Sequence, residues 1–217
     1  MINPIHILDI NNYEIIIKDD KKEILGKGYF GAVYLVKKKG TNELYAAKRS
    51  KDEYQVDLAK KQDIEQELFS FCKLKHPAIV DIIGYSLTDF NGENNPVIIM
   101  KYMPNLSLAN VFKNNREKLT PKRKYILILG ISLALEYIHS KNIVHRNLKP
   151  GNILIDEKFY PYVSDFSIVY ISDTELTNKL MDSDVGTIIY QAPEMINGDS
   201  YTYKVDIYAA SLIFYEI

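Results

Sequence analysis

The rhythm of apolar and polar positions changes once along this chain. From Tyr13 to about Ile99 the apolar residues come in short runs rich in Ile, Val and Tyr, bounded by Gly, Asn, Asp or Pro. The runs Tyr13–Ile17, Glu23–Leu25, Ala32–Val36, Leu44–Ala47, Ile79–Tyr85 and Val97–Lys101 predict strands of an antiparallel meander. Between them, the stretch from Val56 to Lys73 sets Ile64, Leu68 and Phe71 on one face with charges between, which predicts a helix, the only one expected in this half. From Leu106 onward helical periodicity takes over. Residues 89–96, DFNGENNP, carry Asn-Gly with a proline close behind and read as a turn joining two strands. Pro104 and Asn105 break both periods, so a boundary between two lobes is expected in the 102–107 stretch, YMPNLS. The apolar run from Tyr125 to Ile138 is interrupted by Ser132 and Glu136 and is too short to span a bilayer, so it predicts a buried core helix. No internal repeat or low-complexity tract is present, and Lys37–Lys39 reads as a solvated strand end.

With 217 residues, 47% of them hydrophobic, the chain can fill a substantial core. Lys plus Arg number 27 against 28 Asp plus Glu, which leaves no net positive field for a polyanion, so no nucleic-acid partner is expected. The single Cys72 excludes a disulfide within the chain and a cysteine-based metal site, and it reads as a small buried hydrophobe. The amino-terminal MINPIHILDINNYE lacks the basic start and apolar core of a secretory signal, so a cytoplasmic location without a membrane span is expected. His6 and His76 show no metal-ligand spacing, and His139 and His145 read as structural, the latter as a packing residue beneath a loop.

Gly26, Gly28 and Gly31 have the G-x-G-x-x-G spacing that lets bare backbone amides approach phosphate oxygens. An ordinary glycine hairpin or a dinucleotide-binding turn shares that spacing, but β-type residues Ala32 to Val36 follow it where a dinucleotide site would open a helix. Tyr45-Ala46-Ala47-Lys48 then places a lysine at a strand end. Farther on stand His145-Arg146-Asn147-Leu148-Lys149-Pro150-Gly151-Asn152, then Asp165-Phe166-Ser167, then Gly186-Thr187 with Tyr190-Gln191-Ala192-Pro193-Glu194. In this order they resemble the motifs of protein kinases: the glycine loop, V-A-I-K, H-R-D-L-K-x-x-N, D-F-G and G-T-x-x-Y-x-A-P-E. Asp206-Ile207-Tyr208 resembles the start of the buried helix that anchors the catalytic loop in that family, so the resemblance runs from about residue 13 to 217. A dinucleotide-binding enzyme sharing only the glycine loop does not explain residues 143–194.

The resemblance implies an α+β, two-lobed protein-kinase-like fold. Residues 1–12 would form an extension, 13–101 a β-rich N-lobe with one main helix, and 102–217 a mainly helical C-lobe. The C-lobe is expected to be C-terminally truncated, which would leave Glu194 without its usual arginine. Mg-ATP is the implied cofactor. Its phosphates would meet Gly26, Gly28, Gly31 and Lys48, the lysine paired with Glu67 in preference to Glu65. Its purine would lie among Val33, Ala46 and Leu154, with Met100 as gatekeeper and backbone groups of the Lys101-Tyr102-Met103 stretch along the adenine edge. Asn152 and Asp165 would be the magnesium ligands. Lys149 and Thr187 are similar to serine/threonine rather than tyrosine kinases, and with Asn147 they complete the catalytic candidates.

Asn147 departs from the family, which has aspartate there. Its amide oxygen accepts a hydrogen bond, but the group neither holds a proton nor carries charge. Loss of a general base costs about 10²–10⁴ in rate, from a kinase turnover on the order of 1–100 per second. A nucleotide-binding pseudokinase or scaffold in signalling is therefore expected, with a slow serine/threonine kinase as the alternative and a decayed gene product as a third reading. Ser167 in place of the D-F-G glycine restricts positive-φ backbone there. A phosphate on Ser172, Thr174, Thr177 or Ser183 would pair with Arg146, although loop hydroxyls are more often simply solvated. The protein partner and substrate are not named by any of these residues.

Overall fold

The computed structural model describes residues 7–28, 31–50, 74–165, 169–170 and 188–217. Two compact units divide the chain. The first comprises the residues up to Lys75 together with Asp81–Tyr102, the second His76–Val80 with Met103–Ile217. The first is built on strands and the second mainly on helices, a mixed α+β organisation.

The first unit contains β1 (Tyr13–Ile15), the small hairpin β2 (Ile17–Lys18) and β3 (Lys21–Lys22), β4 (Ile24–Gly28), β5 (Gly31–Lys38), β6 (Leu44–Ser50), β7 (Ile82–Ser86) and β8 (Val97–Lys101). The helix expected over Val56–Lys73 lies outside the described residues, as does Cys72. The sheet is antiparallel, but it is not the meander expected from strand sequence. Its order is β1-β5-β6-β8-β7, with β4 also on β5. β8 takes the inner place because it is apolar on the buried face, where Val97 and Ile99 are fully buried, whereas β7 carries Gly84 and a bulge between Ile82 and Gly84 and tolerates the edge. The turn over 89–96 does join β7 to β8, with Gly92 at φ 79°.

Two other strand boundaries differ from the sequence reading. β4 continues into the glycine loop as far as Gly28, because Lys27 pairs with Ala32 and Gly28 with Gly31. The run Ile79–Tyr85 divides: Val80 N–H donates to Val163 O and Val163 N–H to Ala78 O, so its first residues belong with the second unit and only Ile82 onward joins the sheet. Residues 7–12 also pack into the first unit. Leu8 N–H donates to Tyr85 O, and Ile10 and Tyr13 are buried with Val36, Ala47, Val97 and Ile99 in one apolar cluster.

The second unit contains α1 (Leu108–Asn114), α2 (Pro121–His139), β9 (Ile143–Val144), β10 (Ile153–Ile155), β11 (Pro161–Val163), β12 (Val169–Tyr170), α3 (Pro193–Asn197) and α4 (Lys204–Glu216). Local chemistry sets the helix ends. Ser107 and Asn110 form a capping box at α1, Thr120 caps α2 with Pro121 in its first turn, and Gly198 closes α3 in the left-handed region at φ 79°. α2 buries Leu127, Ile131, Ala134, Leu135 and Ile138. Burial is one-sided, however: Tyr125, Leu129 and Leu133, within the run expected to be buried, are 66%, 44% and 41% exposed. No helix among the described residues is long and apolar enough to cross a membrane.

Candidate nucleotide and catalytic site

The candidate residues divide between the two units. In the first, the register of the sheet brings several together. Val33 lies opposite both Gly26 and Lys48, and Ala46 lies opposite both Leu35 and Met100. Directly paired residues in antiparallel strands share a face, and alternate residues along a strand do as well. Val33, Ala46, Lys48 and Met100 are thus on one face of the sheet, with Ile98 opposite Lys48. The other face carries Tyr34, Val36, Ala47, Val97 and Ile99 against the segment from Leu8 to Ile15. The glycine loop stands at the same end of β5 as Lys48. An added Cβ on Gly26 would meet open space, and Gly31 has φ 139°, a conformation that side chains disfavour. Tyr102 is half-buried and ends this unit.

In the second unit, Met103 is buried and its carbonyl accepts from Leu106 N–H. Leu154, in β10, pairs with Tyr162 and bridges to Ser107. The loop between β9 and β10 holds Asn147, Lys149 and Asn152, and its anchor is Asp206 in the first turn of α4. The Asp206 side chain is 1% exposed. Its Oδ2 accepts from His145 N–H at 2.8 Å and its Oδ1 from Arg146 N–H at 2.9 Å; His139 Nε2 lies 2.9 Å from Oδ2. These bonds hold Arg146 at φ 66°, a left-handed conformation that costs a non-glycine residue about 1–2 kcal/mol.

His145 is fully buried and bonded at both ring nitrogens. Nδ1 accepts from Asn147 N–H at 3.2 Å, so Nε2 carries the proton and donates to Ser164 O at 3.0 Å. Burial pushes its pKa below the ordinary value of 6.5 and outweighs the raising effect of the Asp206 charge. It is thus the packing residue expected beneath the loop, and His139 is likewise held structurally, between Asp206 and the ring of Tyr203.

Asn152 is 6% exposed. Its Nδ2 donates to Asn147 O at 2.7 Å, and its carbonyl accepts from Ser164 N–H and Ser164 Oγ. With the amide nitrogen committed, Oδ1 is the atom that can serve a cation. Asp165 follows Ser164 directly and adopts φ 60°. The Asn147 backbone is held on both sides, while no hydrogen bond to another described residue engages its carboxamide. Lys149 precedes the 3-10 turn Pro150–Asn152.

Glu67, Glu65, Thr187, Phe166, Ser167 and the four candidate phosphorylation sites lie outside the described residues. Arg146, expected to meet a phosphate, has its guanidinium 5.6 Å over the ring of Tyr201; its Nε and the Tyr201 hydroxyl are buried and have no hydrogen-bond partner among the described residues. Sequence reasoning missed Ser164, which ties Asn152 and His145 together. No motif marks it except its position before Asp165.

A search against known families matches residues 20–217 to the protein kinase domain. Among curated proteins, "Probable serine/threonine-protein kinase gdt4" of Dictyostelium discoideum is 32% identical over 202 residues, covering 90% of this chain and 12% of that protein. "L-type lectin-domain containing receptor kinase V.5" of Arabidopsis thaliana is 30% identical over 205 residues, 91% of this chain and 29% of that one. "Cysteine-rich receptor-like protein kinase 10" of Oryza sativa subsp. japonica is 32% identical over 198 residues, 89% of this chain and 30% of its relative. The chain thus spans less than a third of the length of these relatives. With the family match covering nearly all of the sequence and the loop held by Asp206 as its motifs imply, this chain belongs to the protein kinase family.

Proposed function

We propose that the chain binds Mg-ATP and transfers phosphate weakly or not at all, acting in signalling as a pseudokinase or scaffold. The observation that carries this reading is Asn147: the loop around it is built and anchored, while the side chain at its centre is a neutral carboxamide. Protein kinases in general use ATP and magnesium, and the residues present suit both. Gly26, Gly28 and Gly31 offer backbone amides, Lys48 with Glu67 offers charge to the phosphates, and Val33, Ala46, Met100 and Leu154 offer apolar surface to a purine. Tyr102 and Met103 offer backbone groups to its polar edge. Asn152 and Asp165 supply hard oxygen ligands, and magnesium, which keeps waters and phosphate oxygens in its shell, needs only one or two carboxylates from protein. Among the described residues no larger His, Cys, Asp and Glu cluster exists that would suit another metal.

When bound, magnesium neutralises charge on the phosphates. The chain's own contribution would be to position the nucleotide through Lys48 and orient an acceptor hydroxyl through the Asn147 carboxamide, with Lys149 and Thr187 in the roles that the resemblance to serine/threonine kinases implies. What it lacks is a group at residue 147 to take the hydroxyl proton. The second reading, a slow serine/threonine kinase acting on a protein hydroxyl, is favoured by the relatives' names and by the large share of this catalysis that comes from positioning.

Titration of Mg-ATP against unfolding temperature tests the binding, since a ligand of the native state raises apparent stability. The rise is expected in the wild type and absent in Lys48→Ala; no rise in the wild type refutes nucleotide binding. Phosphotransfer is then compared with Asn147→Asp, which should gain about 10²-fold or more. Equal, measurable rates in the two forms would decide for the slow kinase.

A further inference from the structure

We infer that Arg49 is a positioning residue for Lys48, acting through an ion pair on the opposite face of the sheet. The inference deepens the nucleotide-binding reading above and rests on it.

Lys48 stands near the end of a ladder. Pairing of β6 with β8 runs from Tyr45–Lys101 to Arg49–Val97, so Lys48 is one pair from its terminus. On the other side, the described pairing of β6 with β5 runs from Lys37–Leu44 to Gly31–Ser50. Terminal pairs of a sheet open at the lowest free energies in a fold. A lysine expected to hold phosphate oxygens in one place is poorly served by a strand end that frays.

Arg49 secures that end. Successive residues point to opposite faces, so its side chain leaves the Lys48 face and reaches the turn between β7 and β8. There its Nε donates to Asp89 Oδ2 at 2.6 Å, and one terminal nitrogen lies 3.2 Å from Glu93 Oε2. The Asp89 side chain is 1% exposed and that of Glu93 is 59% exposed, so the pair with Asp89 dominates. Asp89 is itself fixed: Oδ1 accepts from Asn91 N–H and Glu93 N–H, and Oδ2 also accepts from Asn95 Nδ2. Burial alone would raise its pKa, but these hydrogen bonds, led by that from Arg49, hold the carboxyl below its ordinary value. The turn is thus a rigid post, and the last β6–β8 pair is tied to it. The guanidinium also borders a cavity of about 80 Å³ lined in part by Tyr34 and Phe90. The charge-assisted bonds carry the restraint.

Removing the tie lowers the fraction of molecules with Lys48 in place, and apparent nucleotide affinity falls by that fraction. If about one molecule in five keeps the end formed, the Kd rises about fivefold. The experiment compares wild type, Arg49→Ala, Arg49→Lys and the gentler Asp89→Asn by amide hydrogen exchange at Lys48, with Ala46 and Ala47 as references, and by Mg-ATP affinity well below each unfolding temperature. The expected result is selective loss of protection at Lys48 with weaker binding in Arg49→Ala, the same direction in Asp89→Asn, and partial recovery in Arg49→Lys. A merely structural pair would lower the unfolding temperature while leaving affinity and the contrast between Lys48 and Ala47 unchanged, which would overturn the inference. Should Arg49→Ala fail to fold, Asp89→Asn and Arg49→Lys still decide it. Should the wild type bind no nucleotide, the proposed function fails, while the exchange at Lys48 still tells whether Arg49 secures the strand end.

Discussion

Asp206 offers a quantitative test of what holds the catalytic loop. Replacing it with alanine removes the acceptor of two backbone donors, His145 N–H at 2.8 Å and Arg146 N–H at 2.9 Å, from a site where the side chain is 1% exposed. Each buried donor left without an acceptor costs about 1–3 kcal/mol, so the pair costs about 2–6 kcal/mol. The His139 contact adds little, since that side chain is 13% exposed and water can replace the carboxylate. Typical domains have about 5–15 kcal/mol in all, so the substitution should shift a urea transition visibly. Asp206→Asn keeps one oxygen for one donor and turns an NH₂ toward the other, which predicts a smaller loss of about 1–3 kcal/mol. The assay is urea unfolding of the three proteins by linear extrapolation, with hydrogen exchange at His145 and Arg146 to locate the effect. An alanine variant within about 0.5 kcal/mol of wild type, or unchanged exchange at both amides, would refute the claim that this carboxylate holds the loop.

Other outcomes follow from the same structure. A Cβ on Gly130 would meet Pro161 Cγ at 2.5 Å and Cδ at 3.1 Å; the proline ring, set in β11, has little freedom to retreat, so Gly130→Ala should lose about 1–3 kcal/mol in urea despite better helix propensity. Because His145 is kept neutral when folded, the unfolded chain takes up its proton first as pH falls below 6.5. Stability should therefore be flat above 6.5 and fall by up to about 1.4 kcal/mol per pH unit below it, until the folded-state value is reached; the His145→Gln form should lack that component. Tyr190 Oη donates to Glu216 Oε1 at 2.6 Å, and Tyr190→Phe should cost about 0.5–1.5 kcal/mol by thermal or urea unfolding.

How much was legible before the structure depends on how local each cause is. The glycine loop, the segment ending at Lys48 and residues 145–152 are each short stretches of chain, and their resemblance to the family's motifs marked them. Helix starts at Ser107 and Thr120 also have local causes, a cap and the residues within three positions of it, although the sequence reading did not single them out. The order of strands was not legible, because β7 and β8 were expected to add in sequence. Which strand takes the inner place depends on what covers each face, and part of that cover is Ile10, which the sequence reading placed in an extension, beside Tyr13 at the start of the first strand.

The resemblance to the family, the run of candidate residues and the asparagine where that family has aspartate could all be read from residue types at short spacing. That Val33, Ala46, Lys48 and Met100 share a sheet face, that Arg49 meets Asp89 forty residues away, and that Asp206 accepts from amides 60 and 61 residues before it became visible only in the folded chain. Those contacts join residues far apart in the chain. They exist because closing the fold buries polar groups that must then find partners, and spacing along a sequence carries no record of which partner that will be.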